Sequence, residues 1–185
     1  MKSGARALGV AESYRDETST LAGAVVRADR VVDDLVFSTC AVGGSDATDA
    51  IAGLVATLDR PDVGYVLVAG IAPAWFNVVD LHALHAAVDR PALSVSFEDS
   101  PGLGAAIHRE FEGDARDARL AVYERQPARR ELTVNDEQVW VRAVGVDDGE
   151  TAEVVRAFTP EGGRPEPLRV ARLAARAADR FRTDS

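Results

Sequence analysis

The segment Gly64-Tyr65-Val66-Leu67-Val68-Ala69-Gly70 decides the fold. Its centre, residues 65–68, is a short apolar run bounded by glycines, the pattern of a strand buried on both faces of a sheet. Its neighbours decide which kind of sheet. Upstream, residues 5–10, residues 21–28 and a stretch within 31–42 read as three strands. The links between them, residues 13–19 and Asp29-Arg30, are short and polar, so the strands are expected to form an antiparallel meander. Gly43-Gly44-Ser45-Asp46 breaks that pattern, and Ile51, Leu54, Val55 and Leu58 follow at helical spacing. Downstream, residues 80–88 read as a short helix and 92–97 as another strand. The order is strand, strand, strand, helix, strand, helix, strand. It predicts an α/β domain: three antiparallel strands, then parallel crossover units, on one mixed sheet.

The remainder is mostly helical. After Ser100-Pro101-Gly102 the spacing predicts helix through Ile107 and Phe111, and again over 115–125. Residues 132–134 and 139–144 predict a hairpin turning at Asn135-Asp136. Asp147 or Asp148 caps a helix ending near Phe158, and residues 159–165 form a Gly/Pro-rich loop. Pro167 sits where a first-turn proline belongs, opening a helix to about Arg180. Its expected apolar face is Val170, Leu173, Ala174, Ala177 and Phe181. The face beside it carries Arg169, Arg172, Arg176 and Arg180. The last four or so residues are expected to fray.

Composition narrows the setting. With 185 residues, 46% of them hydrophobic, the chain can bury one core and is expected to form one domain over 1–185. No run approaches the roughly 18 apolar residues of a membrane span, and the N-terminus lacks an apolar signal region, so a soluble protein is expected. The lone cysteine, Cys40, excludes an intramolecular disulfide and points to a reducing cytoplasm. Net charge is −9, and Lys2 is the only lysine. An acidic, lysine-poor surface suits a halophilic cytosol and weighs against a simple basic-patch DNA binder. That objection weakens at high salt, which screens phosphate electrostatics for any protein.

Four segments then stand out together: Arg6-Ala7-Leu8-Gly9-Val10-Ala11-Glu12-Ser13; Val42-Gly43-Gly44-Ser45-Asp46-Ala47-Thr48; Val68-Ala69-Gly70-Ile71-Ala72-Pro73-Ala74-Trp75-Phe76-Asn77-Val78-Val79-Asp80; and Pro165-Glu166-Pro167-Leu168-Arg169-Val170-Ala171. In this order they resemble the uncharacterised archaeal endonuclease-dU group, related to endonuclease V. The composition would make this chain a haloarchaeal member. The resemblance implies a ribonuclease-H-like domain acting on nucleic acid with Mg²⁺ or Mn²⁺. Such chemistry holds divalent ions on carboxylates at neighbouring strand ends, because these ions take oxygen ligands and must stabilise both the entering and the leaving oxygen.

This chain departs from that pattern. The family's acidic position on the first strand is Ala11, with Glu12 beside it. The acidic position closing the fourth strand is Ala69, and a third ligand position, on the last helix, is Arg172. Glu12 and Asp46 are the candidate catalytic remnants, and Asp80 is a possible metal ligand. Neighbours on a strand point to opposite faces, so Glu12 replaces Ala11 only if the strand ends or bulges there. Asp46 reads as a helix cap paired with Asp49, or as a surviving ligand. Trp75, Phe76 and Asn77, with Arg169 and Arg172, are the candidate nucleic-acid contacts. The plainer alternatives are a core Phe76, an Asn77 that caps the helix near Asp80, and arginines paired with acids such as Glu166. His82 and His85, three apart, could line one helix face, and Cys40 lacks a nearby histidine that would activate it.

Three functional classes remain open at this level: a nucleic-acid binder with a degenerate nuclease site, an active Mg²⁺- or Mn²⁺-dependent endonuclease on deaminated DNA carrying deoxyuridine or deoxyinosine, and a small-molecule or partner-binding module. Oligomeric state is left open by the sequence.

Overall fold

The computed structural model describes residues 1–183. One seven-stranded mixed sheet organises the chain, in the order β3-β2-β1-β4-β5-β7-β6. β1 (Arg6–Tyr14), β2 (Thr18–Arg27) and β3 (Val32–Ala41) are the antiparallel meander. The helix α1 (Ala47–Leu58) carries the chain back so that β4 (Val63–Ala69) lies parallel to β1. A single turn, α2 (Pro73–Phe76), and the helix α3 (Leu81–Val88) lead to β5 (Ala92–Ser96), parallel to β4. This is the ribonuclease-H-like order expected from the sequence. The helices α4 (Gly104–Glu110) and α5 (Gly113–Glu124) follow. Then β6 (Arg130–Val134) and β7 (Glu137–Val144) form the hairpin, turning through Asn135 and Asp136, both at positive φ as a tight two-residue turn requires. The chain closes with α6 (Asp148–Ala157), capped by Asp147, and α7 (Glu166–Thr183). Asp184 and Ser185, where part of the expected fraying falls, lie outside the described residues.

Alternation along the strands sorts the core into two layers. Leu8, Val10, Val36, Cys40, Val66 and Val68 face α1 and α3. Ala7, Leu67, Leu93 and Val95 face α6, with Val154 and Phe158, while Ala11 and Ala24 meet Ala171 of α7. Gly9 is required where α7 begins: a Cβ there would stand 2.2 Å from the Pro167 carbonyl carbon. No helix among the described residues is long and apolar enough to cross a membrane.

The orientation of α7 corrects the sequence expectation. Its buried residues are Leu168, Ala171, Ala175 and Asp179, whereas Leu173 and Phe181 are 55% and 79% exposed. Beyond Leu168 at its start, the helix therefore turns its bulky apolar residues Leu173 and Phe181 away from the sheet. The reason is complementarity of size. The strand surface beneath α7 carries Gly9, Ala11 and Ala24, and only small side chains let the helix approach it closely. Asp179 is tolerated at 2% exposure because Ser13 and Thr20 donate their hydroxyls to it, at 3.3 and 3.2 Å, and Arg15 lies 3.4 Å away.

Candidate functional site at the ends of β1 and β4

Val10 of β1 pairs with Val68 of β4. Ala11 and Ala69 follow one residue later, so they are side by side on two parallel strands, which lie roughly 4.8 Å apart, Ala69 at the end of β4 and Ala11 three residues before the end of β1. Both face α7: Ala11 is 5% exposed and shares a small apolar cluster with Ala24, Val26 and Ala171, against which Ala69 and Val170 pack. Arg172 flanks the buried stripe of α7 on its exposed side. The structure therefore brings Ala11 and Ala69 together beneath the helix that carries Arg172.

Glu12 lies on the other face. The β1–β2 register runs unbroken from Arg6 to Tyr14, so no bulge turns Glu12 toward Ala11. Its carboxylate accepts from the Ser19 hydroxyl at 2.9 Å. Asp46 precedes α1 but makes no side-chain cap there. Instead it accepts from the Ala41 amide at 3.1 Å and from the Asn77 side-chain amide at 2.7 Å. The cap belongs to Asn77, whose side-chain oxygen accepts from the Ala47 amide at 2.9 Å while its nitrogen also donates to the Ala41 carbonyl. Asn77 is fully buried and caps α1, not the helix near Asp80.

Asp80 caps α3, accepting from the His82 and Ala83 amides, and also from Arg125 and from Gln126 at 3.1 Å. Burial pushes its pKa up, but the hydrogen bonds from Arg125, Gln126 and the Ala83 amide outweigh this and hold the carboxyl below its usual value. Cys40 moves the other way: burial first, then the charges of Asp46 and Glu12, push its thiol up to about 11, which keeps it protonated and a poor nucleophile. His82 is exposed, while His85 Nδ1 sits 2.8 Å from the Arg90 carbonyl.

The turn Ala74-Trp75-Phe76 is left-handed throughout, with φ of 49°, 54° and 61°. For non-glycine residues this costs about 1–2 kcal/mol each. The Asn77 amide closes the turn by donating to the Pro73 carbonyl, and the Gly43 amide donates to the Ala74 carbonyl at 2.7 Å. Gly43 is needed there, since a Cβ would stand 2.9 Å from the Trp75 ring. The turn presents Trp75, 44% exposed, against Phe76 and Phe111 at centroid distances of 5.8 and 5.1 Å. Arg119 stacks on Phe111 at 3.9 Å.

On the α7 side, Arg169 is held by Glu166 in a two-pronged ion pair. Arg172 and Arg176 make no ion pair among the described residues, nor does Arg164, which stacks on Phe97 at 3.8 Å. Burial, then the charges of Arg172 and Arg176, pull the Arg164 guanidinium down. Arg164, Arg119 and Phe111 were not legible as site residues, because they come from loops and helices that meet the site only in three dimensions.

These residues do not fit a divalent metal. Mg²⁺ and Mn²⁺ need several oxygen ligands, and Ala11 and Ala69 offer none, while Arg172 brings a positive charge. Among the described residues, no three histidine, cysteine, aspartate or glutamate side chains gather as a metal-holding group.

The endonuclease dU family model matches residues 3–179. The chain belongs to this family. A UPF0215 protein of Pyrobaculum aerophilum is 32% identical over 176 residues, covering 94% of each chain. Among solved structures, a protein of unknown function from Archaeoglobus fulgidus superposes with a TM-score of 0.82 at 23% identity, covering 94% of this chain and 97% of its own. Ciona intestinalis endonuclease V, solved with a 24mer DNA containing an inosine, superposes at 0.62 and 13% identity, covering 97% and 87%. These structural likenesses establish the endonuclease-V-like fold of this family member.

Proposed function

We propose that this endonuclease dU family protein binds single-stranded or distorted DNA across the surface formed by the exposed arginines of α7 and the Trp75 turn after β4, and has lost metal-dependent cleavage. One observation carries the reading. Where a nuclease of this fold would need paired carboxylates, Ala11 and Ala69 pack against Ala171, and the helix over them carries Arg172 and Arg176, exposed and without a carboxylate partner among the described residues. A site for a cation has become a place that attracts phosphate. The DNA-bound endonuclease V of the same fold supports a nucleic-acid partner. Trp75, on its braced left-handed turn, offers an aromatic face to an unpaired base.

Fluorescence anisotropy with labelled single-stranded and duplex DNA, from low to molar potassium salt, tests this. Single strands are expected to bind more tightly than duplex. Trp75→Ala should weaken that binding roughly 5- to 150-fold, corresponding to about 1–3 kcal/mol of stacking, and Arg172→Glu should weaken it further. Indifference to both changes overturns the reading. So does Mg²⁺- or Mn²⁺-dependent cleavage of deoxyuridine- or deoxyinosine-containing DNA that Glu12→Gln abolishes.

A further inference from the structure

A cleft, about 230 Å³ in volume, opens beneath the α4–α5 hairpin at the carboxyl ends of β4 and β5. Its floor comes from two paired strands: Ser94 pairs with Arg142, and Ser96 with Trp140. Leu103 and Tyr123 cover it. Trp75, Arg164 and Arg172 are not among its lining residues, although Ala72 and Leu103 line both it and the hollow beside Trp75.

Its polar groups are unusual in this chain. Ser94 is 3% exposed and lines the cleft, yet its hydroxyl has no hydrogen-bond partner among the described residues. The Ser94 Oγ therefore opens onto the cleft, where it can donate to or accept from a molecule that enters. Arg142 donates to the Pro127 carbonyl and, at 3.2 Å, to the Tyr123 hydroxyl. Arg129 donates to the Ser96 hydroxyl at 3.3 Å and to the Ser100 and Glu98 carbonyls, with its guanidinium 4.8 Å from the Trp140 ring. These contacts fix both side chains but leave N–H donors on each free, since a guanidinium carries five. Neither arginine pairs with a carboxylate among the described residues, although the chain has 30 acidic residues against 21 basic ones. Burial, and the charge of Arg129 nearby, pull the Arg142 guanidinium down. Among the described residues, Glu98 is the one acidic residue in the lining, and it ion-pairs with neither arginine, so the free N–H donors of both remain available to an anion.

We propose that this cleft binds a phosphate monoester, whose oxygens accept from Arg142, Arg129 and the Ser94 hydroxyl. A phosphoryl group suits the site better than a carboxylate. Its three terminal oxygens can meet donors arriving from the floor and from two separately anchored guanidinium groups. The apolar parts of Ile71, Leu103 and Trp140 would contact the remainder of the ligand. Its source is either a free mononucleotide or the phosphorylated end of a nucleic-acid strand.

Calorimetric titration with inorganic phosphate is the first test, and binding in the millimolar range or tighter is expected. Arg142→Gln should weaken it at least about tenfold. Because Arg142 also braces Pro127, Ser94→Ala is the safer variant: its hydroxyl makes no hydrogen bond within the described residues, so the change should weaken binding about three- to tenfold while leaving the melting temperature unchanged. Trp75→Ala should leave phosphate binding unchanged, which separates this site from the DNA surface. A preference for a nucleoside 5′-monophosphate over its nucleoside supports the free nucleotide. A preference for a 5′-phosphorylated oligonucleotide over its 5′-hydroxyl form supports the strand end. No phosphate binding by the unmodified protein, or binding that survives Ser94→Ala unchanged, overturns the proposal.

Discussion

Asn77 donates its side-chain amide to the Asp46 carboxylate at 2.7 Å, tying the turn after β4 to the glycine loop after β3. The same amide group also holds the Ala41 carbonyl and the Ala47 amide. Two motifs far apart in the chain thus form one braced corner, and the left-handed Trp75 turn rests on it.

Replacing Asn77 with alanine removes three bonds at a fully buried position. The Ala47 amide and Ala41 carbonyl would lose their side-chain partner. A loss of about 2–4 kcal/mol is expected in urea denaturation. A loss below about 0.5 kcal/mol would mean that the corner is braced by other contacts.

Asp80 makes a prediction about acid. Its folded pKa lies below the unfolded value of roughly 3.9. The ionised carboxylate therefore contributes its full stability above about pH 4, and the contribution is lost as pH falls through the folded pKa. The unmodified protein should lose stability more steeply below pH 4 than Asp80→Asn does. At neutral pH the variant should be less stable by about 1–2 kcal/mol. Parallel stability curves below pH 4 would remove Asp80 from the acid response.

Ala11→Asp, Ala69→Asp and Arg172→His together would place ligands at the three positions that the family resemblance implies, two of them side by side beneath the helix that carries the third. The triple variant should bind Mn²⁺ in calorimetry, and the unmodified protein should not. Without metal, two like charges near Ala171 repel, so the variant should melt below the unmodified protein and recover as Mn²⁺ is added. Absence of any Mn²⁺ binding by the variant would show that the positions are wrongly assigned.

The packing of α7 gives a pair of opposite expectations. Leu173→Ser should change stability by less than about 0.5 kcal/mol, because the side chain is mostly exposed. Ala175→Leu should cost about 1–3 kcal/mol by overpacking the small-residue contact with the sheet. Thermal unfolding of the two variants checks both, and a reversed ranking would contradict the observed orientation.

Much of this was legible in the linear chain. The strand order, the Asn135-Asp136 turn and a helix cap at Asp147 or Asp148 follow from local signals: alternation, glycine and proline positions, and segment length. Each depends on residues within a few positions of one another. The significance of Ala11 and Ala69 came from the family resemblance. What depended on distant partners was not legible. The bulky residues of α7 suggested a buried face, but the small residues on β1 and β2 decided which side could approach, and Asp179 could enter only because Ser13 and Thr20 awaited it. Asp46 looked like a cap until Asn77, 31 residues away, took that role. The absence of carboxylates at Ala11 and Ala69 was written in the sequence alone. That Arg172 and Arg176 stand exposed on the helix packed over them, and that the Ser94 hydroxyl opens onto a cleft also lined by Arg129 and Arg142, was decided only when helices and strands remote in sequence packed together, because electrostatics and desolvation act through space.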